Sequence, residues 1–476
     1  MPAPRGGFDV VIGNPPYIRI QTMQETAPQT LEYYKRRYAA AAKGNYDIYV
    51  LFVERGLQLL NPEGRLGFIL PHKFFNAQYG RPLREHLSRH RCLAHIVHFS
   101  DQQVFDGATT YTCLLFLSGS PSQTVDFARI EDLNAWRASG GAQRSSLPAE
   151  RFTADEWNIT VGPAGALFER LKSMPTKLRD VAHLFVGLQT DADDVFIVEQ
   201  LRAEGDRVLC RSKATGEEHW FEDAHLKPLL KGSLNVARYH LRDVNKRLVF
   251  PYTVEDGRSI LIDPGEYRAK YPLTWKYLAQ NKTRLAARNK GRMGSEWYGY
   301  VYKKNHTRFG NPKLLAPSLA KGSCFACDIE GRYYFVGSGG GGGGGYGILP
   351  DSNIDLYYLL GLLNSSLVSR YLRANSTTFR GGYIALNRQY IEQIPIVLAD
   401  EMPGGVELQA RVGALAQGML TLHQRLEAAR TTHDKAALQR QIDITDRQID
   451  QLVYELYGLT DQEIRVVEES TALPVA

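Results

Sequence analysis

Phe8-Asp9-Val10-Val11-Ile12-Gly13-Asn14-Pro15-Pro16-Tyr17 is the stretch on which the reading of this chain turns. Its first half is an apolar run with the look of a buried strand, and its second half is a tight, stiff turn. Two consecutive prolines fix φ and remove two N–H donors, so the turn presents carbonyl acceptors in a set geometry. Around them lie the carboxamide of Asn14 and the aromatic face of Tyr17. As a bare tetrapeptide, Asn-Pro-Pro-Tyr is most simply a proline turn closing a strand. Placed directly after Phe8–Gly13, it reads as a functional strand end.

Outward from this point, strand and helix signals alternate to about residue 118. Tyr46–Leu60 is helix-like, with Ile48, Leu51, Phe52 and Leu59 on one face. Asn61-Pro62-Glu63-Gly64 is a turn, Leu66–Leu70 a strand, Arg81–His90 a helix, and Leu93–Phe99 and Tyr111–Leu117 two more strands. Near-continuous apolar strands between helices indicate an α/β sheet covered on both faces. From about residue 163 to 400, short β-like runs separated by Gly and Pro suggest an irregular α+β domain. Near the C-terminus, Leu408, Val412, Leu415, Met419, Leu422 and Leu426 form a heptad seam. Leu438, Ile442, Thr445, Ile449, Leu452 and Leu456 repeat it, which predicts an antiparallel helical hairpin packed on its own domain.

A chain of 476 residues exceeds one hydrophobic core. Hydrophobic and charged fractions of 43% and 23% are those of an ordinary globular protein. No apolar run is long enough to cross a bilayer, and no signal-peptide pattern opens the chain. Five scattered cysteines argue against a disulfide framework, so the expectation is a cytoplasmic protein with reduced thiols. The pair Cys324 and Cys327 lacks a matching second pair, so no metal is expected.

The net charge of +6 is concentrated. Lys282, Arg284, Arg288, Lys290, Arg292, Lys303, Lys304 and Arg308 face a single acid, Glu296, within 27 residues, with Trp297, Tyr298, Tyr300 and Tyr302 interleaved. Cations mixed with aromatics suit a phosphate backbone and unstacked bases; a solvated loop is the plainer alternative. Arg81, Arg84, Arg89 and Arg91 can face phosphates or simply solvent, and Tyr33–Tyr38 can be a loop over a ligand or an exposed helix.

The Asn-Pro-Pro-Tyr stretch resembles the catalytic motif of the amino-methyltransferases, in the form found in adenine-N6 enzymes. Asn45-Tyr46-Asp47-Ile48-Tyr49 and Leu59 through Pro71 are similar to the segments that follow it in the Taq-type and type IIG restriction–modification methyltransferases. Val186-Gly187-Leu188-Gln189-Thr190, Leu226–Gly232, Leu362–Leu367, Ile394-Pro395-Ile396 and Leu456–Thr460 resemble, in order, the target-recognition domain and ending of that family.

The resemblance implies a partial Rossmann-like methyltransferase sheet (residues 1–160), an α+β target-recognition domain (161–400) and a helical hairpin with tail (401–476). It implies a site-specific adenine-N6 DNA methyltransferase of a restriction–modification or phage-defence system, acting on double-stranded DNA. By it, Asn14 and Pro15 accept the N6 hydrogens, Pro16 stiffens the turn, and Tyr17 stacks on a base flipped out of the duplex. Phe105 becomes the second stacking aromatic, with a plug onto the sheet as its plain alternative. The methyl donor is S-adenosyl-L-methionine, approached by Gly13 and Asn14. The family's glycine-rich cofactor turn is expected well before Asn14, and Gly337 through Gly345 is no substitute, since no helix follows it. The expectation is therefore a chain that lacks the main cofactor motif. The chain is thus expected to be an N-terminally truncated or split methyltransferase, with a separate N-terminal methyltransferase or nuclease polypeptide as a partner if it is split, and no DNA cleavage is expected from it. A non-catalytic, sequence-specific DNA-binding module is the competing reading.

Overall fold

The computed structural model describes residues 6–42, 44–100, 102–105, 110–157, 159, 163–242, 245–337, 344–379 and 381–469. Two compact units divide the chain, the first running to Arg170 with Thr377–Gly382 added, the second holding the remainder.

The first unit is built on a six-stranded mixed sheet. Its strands are β1 (Phe8–Gly13), β2 (Leu60–Pro71), β3 (Leu93–His98), β4 (Thr112–Ser118), β5 (Thr124–Arg129) and β6 (Gln143–Pro148). They lie in the order β1-β2-β4-β3-β5-β6, with β1 parallel to β2 and β3 parallel to β5. The helices are α1 (Ile20–Thr26), α2 (Pro28–Arg37), α3 (Tyr49–Leu59), α4 (Arg81–His90) and α5 (Leu133–Ser139). One sheet face is closed by a core that includes Tyr49, Val50 and Val53 of α3, Leu83 and Leu87 of α4, and Leu66, Phe68 and Leu70 of β2. Gly56 lets α3 lie close to the sheet, since a Cβ there would stand 2.4 Å from Leu66 Cδ1. This arrangement is the Rossmann-like α/β fold expected from the alternation.

Several details depart from expectation. The Asn61–Gly64 turn is absorbed into β2 as a bulge: Phe8 pairs with Leu60 but Val10 already pairs with Arg65. Asn61 stabilises the bulge by accepting from Glu63 N (3.0 Å) and donating to Asp9 (2.6 Å). The buried face of α3 carries Glu54, which accepts from the Ala39 and Ala40 amides, while Phe52 points outward at 44% exposure. Arg84 is an internal clamp on the carbonyls of Phe74, Ala77 and Ala154 and is closed to phosphate.

The largest departure concerns β1. Instead of lying buried, it forms the sheet edge, with Phe8, Val10 and Ile12 exposed at 58%, 64% and 84%. Val11 alone turns into the core, on the same face as Leu66. On the opposite face, Leu133 and Trp136 of α5 pack with side chains of β3, β4 and β5. An apolar run is buried only if something lies on both sides of it, and that requirement is not written in the run itself.

The second unit holds a six-stranded and a four-stranded sheet around one core, the irregular α+β arrangement expected from the sequence. The helix Leu356–Asn364 is capped by Asp355 (2.6 Å to Tyr358 N). Its Gly361 lies against Val412 and Ala416 of the long helix Gly405–Ala428. That helix pairs with Thr432–Leu456 in the expected hairpin. Arg238 fastens the hairpin, donating to both oxygens of Asp446 (2.6 and 2.7 Å) and to the Asn364 carbonyl (2.6 Å). The glycine tract 338–343 and the residues after 469 lie outside the described residues.

Candidate active site

The parallel pairing of β1 and β2 aligns their carboxyl ends, and in α/β sheets that end carries the ligand chemistry. Asn14 leaves β1 there and is exposed, Pro15 is buried as the anchor of the turn, and Pro16 and Tyr17 are half-buried. The chain beyond the turn is tied to residues 46–48 by Ile20 N to Tyr46 O (3.0 Å) and Ile48 N to Ile18 O (2.9 Å). The Asn45–Tyr49 segment therefore forms the seat of the turn.

Tyr17 meets Tyr49 edge to face at 6.3 Å. Its hydroxyl lies 2.7 Å from Asn14 Oδ1 and 3.0 Å from the Ile69 carbonyl. Burial, with a smaller effect from Cys113, pushes the phenol up to about 12, so it keeps its proton at neutral pH. No described donor is bonded to the Pro15 carbonyl. An exposed amide oxygen, a constrained carbonyl and a held aromatic ring thus share one turn, which can accept hydrogens from a planar amine. Gly13 ends β1 opposite Phe68.

At the same sheet end, His72 stacks on His98 with ring centroids 4.2 Å apart. Burial holds both imidazoles neutral, His72 down to about 4. Sequence reading missed this pair, which shows no local spacing signal, and it missed Tyr49 as a support for Tyr17. Phe105 follows β3 in the described stretch 102–105 and is 37% exposed, while its neighbour Val104 packs under α5. Tyr33–Arg37 lie in helix α2.

The basic segment splits in two. Its helix starts at Lys282 and breaks at Arg288, where Asn289 and Lys290 take left-handed backbone (φ 49° and 57°). Arg288 is buried and donates to the carbonyls of Leu285, Thr190, Trp297 and Gly299 at 2.7–3.0 Å. Its guanidinium is consumed by the fold, which removes it from any DNA-facing set. Trp297, Tyr298 and Tyr300 are likewise core residues; the Tyr298 and Tyr300 hydroxyls bond the carbonyls of Ile262 and Val249. Only Tyr302, at 49% exposure, faces solvent. Arg284 pairs with Asp194, Lys303 with Glu296 (2.6 Å), and Arg308 with His183, while Lys282 covers the Trp297 ring. Lys290, Arg292 and Lys304 are exposed and have no partner among the described residues. Cys324 donates to the Val236 carbonyl, and no metal-binding group of three or more His, Cys, Asp or Glu occurs among the described residues. None of the described helices is long and apolar enough to cross a membrane.

Residues 3–105 match the Eco57I restriction-modification methylase family, and residues 256–396 match the TaqI-like C-terminal specificity domain. The type II restriction enzyme and methyltransferase RM.Eco57I of Escherichia coli is 27% identical over 97% of this chain, which spans 48% of that protein. The type II methyltransferases M.PaeR7I of Pseudomonas aeruginosa and M.XhoI of Xanthomonas vasicola are 25% and 26% identical, and the chain covers 72% and 76% of them. Among solved structures, the type IIL restriction–modification enzyme MmeI in complex with DNA shares the fold at a TM-score of 0.58 and 12% identity, over 98% of this chain and 57% of that one. The chain is thus similar to restriction–modification methylases over the segment that bears the Asn14 turn and, further along, to a TaqI-like specificity domain.

Proposed function

We propose that this chain carries the catalytic turn and the recognition domain of a site-specific DNA adenine-N6 methyltransferase, with S-adenosyl-L-methionine as the methyl donor. The observation that carries the reading is the solvent-facing Asn14 carboxamide on a turn stiffened by Pro15 and Pro16. Adenine N6 is a poor nucleophile because its lone pair is delocalised into the ring. Acceptance of its two hydrogens by Asn14 Oδ1 and the Pro15 carbonyl localises that lone pair, and preorganised acceptors do so without reorganisation. Tyr17 and Phe105 stack on the extruded base, which offsets part of the few kcal/mol that flipping costs.

Residues 161–400 would read the DNA sequence and 401–476 would brace them. Lys290, Arg292 and Lys304 are the cations free to meet phosphates, with Lys282, Arg284, Lys303 and Arg308 available on exchange of their present partners. The complex of MmeI with DNA supports DNA as the partner, and a base flipped out of a duplex makes double-stranded DNA the form proposed here.

The described residues do not by themselves form a cofactor crevice. Beside Asn14 the sheet ends at β1, and Ile12 is 84% exposed. Ligand crevices in such sheets lie between the carboxyl ends of neighbouring strands, so a further strand along β1 would complete this one. The same open edge favours a second reading, a specificity module that binds DNA without methylating it. Labelled methyl transfer to cognate DNA, with a cofactor-binding segment present in the same chain or added to it, separates the two. Methylation that depends on Asn14 supports the enzyme; sequence-specific binding with no transfer under those conditions supports the module.

A further inference from the structure

The Tyr17 hydroxyl has a single proton and two acceptors, Asn14 Oδ1 at 2.7 Å and the Ile69 carbonyl at 3.0 Å. We infer that this hydroxyl is a positioning group, fixing which end of the Asn14 carboxamide is turned to the incoming amine; the inference rests on the proposed amino-group chemistry.

An asparagine side chain has two chemically opposite ends, and rotation about its last torsion is soft. Only the oxygen can accept a hydrogen from an amine, and an exposed Asn14 with no tether would present its NH2 end much of the time. A donor locked beside Oδ1 removes that ambiguity. Tyr17 is such a donor: its ring is wedged against Tyr49, and it stays protonated across the neutral range. The carbonyl oxygen keeps its second lone pair for the amine. The Ile69 carbonyl, on the neighbouring strand, is a second acceptor for the same proton at 3.0 Å and keeps the phenol end close to β2. The pairing thus couples the turn to β2 through a group whose removal leaves the stacking ring in place.

Tyr17→Phe is the test, with two readouts. In the full chain with asparagine side chains labelled with nitrogen-15, the Asn14 NH2 signals are assigned by their loss in Asn14→Asp. Tyr17→Phe should move them to the positions of freely rotating surface asparagines; unmoved signals would overturn the inference whatever the activity. In the methylating enzyme, Tyr17→Phe should lower kcat roughly three- to tenfold, the worth of one hydrogen bond, with KM for DNA within about twofold. Added to Asn14→Asp, whose two carboxylate oxygens are equivalent, it should cost nothing further. An equal loss in both backgrounds would assign the hydroxyl a merely structural role and sink the idea. Should Asn14→Ala retain methylation, the catalytic reading itself falls, while the amide signals still report on the tether.

Discussion

The Asn14–Tyr17 turn and the 282–308 segment are both dense in groups suited to nucleic acid, yet the fold uses them in opposite ways. In the turn, Pro15 goes inward as the anchor and the Asn14 amide stays in solvent. In the basic segment, Arg288, Trp297, Tyr298 and Tyr300 go inward and build the core. The difference lies in constraint. Two prolines and one strand end leave the turn a single orientation, whereas a segment of 27 residues with several breaks can present or bury any of its side chains.

The contrast can be broken first at Asn14. Asn14→Ala should reduce methylation by about a hundredfold or more, the scale for losing a preorganised catalytic hydrogen-bonding group, while DNA affinity and Tm hold. A parallel fall in Tm would make Asn14 a folding residue and erase the distinction. Next is Arg288→Ala, which deprives four carbonyls of their donor and, at about 1–3 kcal/mol for each acceptor that stays buried and unpaired, should cost at least about 2 kcal/mol in unfolding free energy. Denaturation that leaves stability intact but weakens DNA binding would return Arg288 to the interface.

His306 sharpens the same point through pH. Burial lowers its imidazole to about 4, below the ordinary 6.5, with Ser259 on its Nδ1 (2.9 Å). The unfolded chain takes up this proton first, so the contribution is complete above pH 6.5 and is lost as pH falls toward 4. The slope in that window is about 1 kcal/mol per pH unit at most, and His306→Gln should flatten it in urea titrations. A slope unchanged in the variant would place the histidine in solvent.

The smallest effect belongs to the free cations. Replacing Lys290, Arg292 and Lys304 together by alanine should leave Tm unchanged and make the log–log salt dependence of DNA binding shallower by about 3. An unaltered salt slope would move the DNA contact elsewhere on the molecule.

Much of this was legible beforehand. The helix Arg81–His90 was read end for end, β3 and β4 within a residue, and both heptad helices from their seams. Those features follow from local period and punctuation. What escaped was anything that depends on what lies across from a residue. Phe8, Val10 and Ile12 have the composition of an interior strand but, among the described residues, no strand on one side. Asn61–Gly64 has the composition of a turn, yet it is held inside a strand by Asp9, 52 residues away.

By itself, then, the order of residues specified the alternating elements, the stiff strand end at Asn14 and the terminal hairpin, because each arises from spacing within one turn or one pleat. The tertiary structure alone decided that Arg288 is a clamp, that three aromatics of its segment are core, and that the Tyr17 hydroxyl rests between Asn14 and Ile69. Partners such as Ile69 for Tyr17 and Thr190 for Arg288 arrive from 52 and 98 positions away, and no local pattern encodes which part of the chain will arrive.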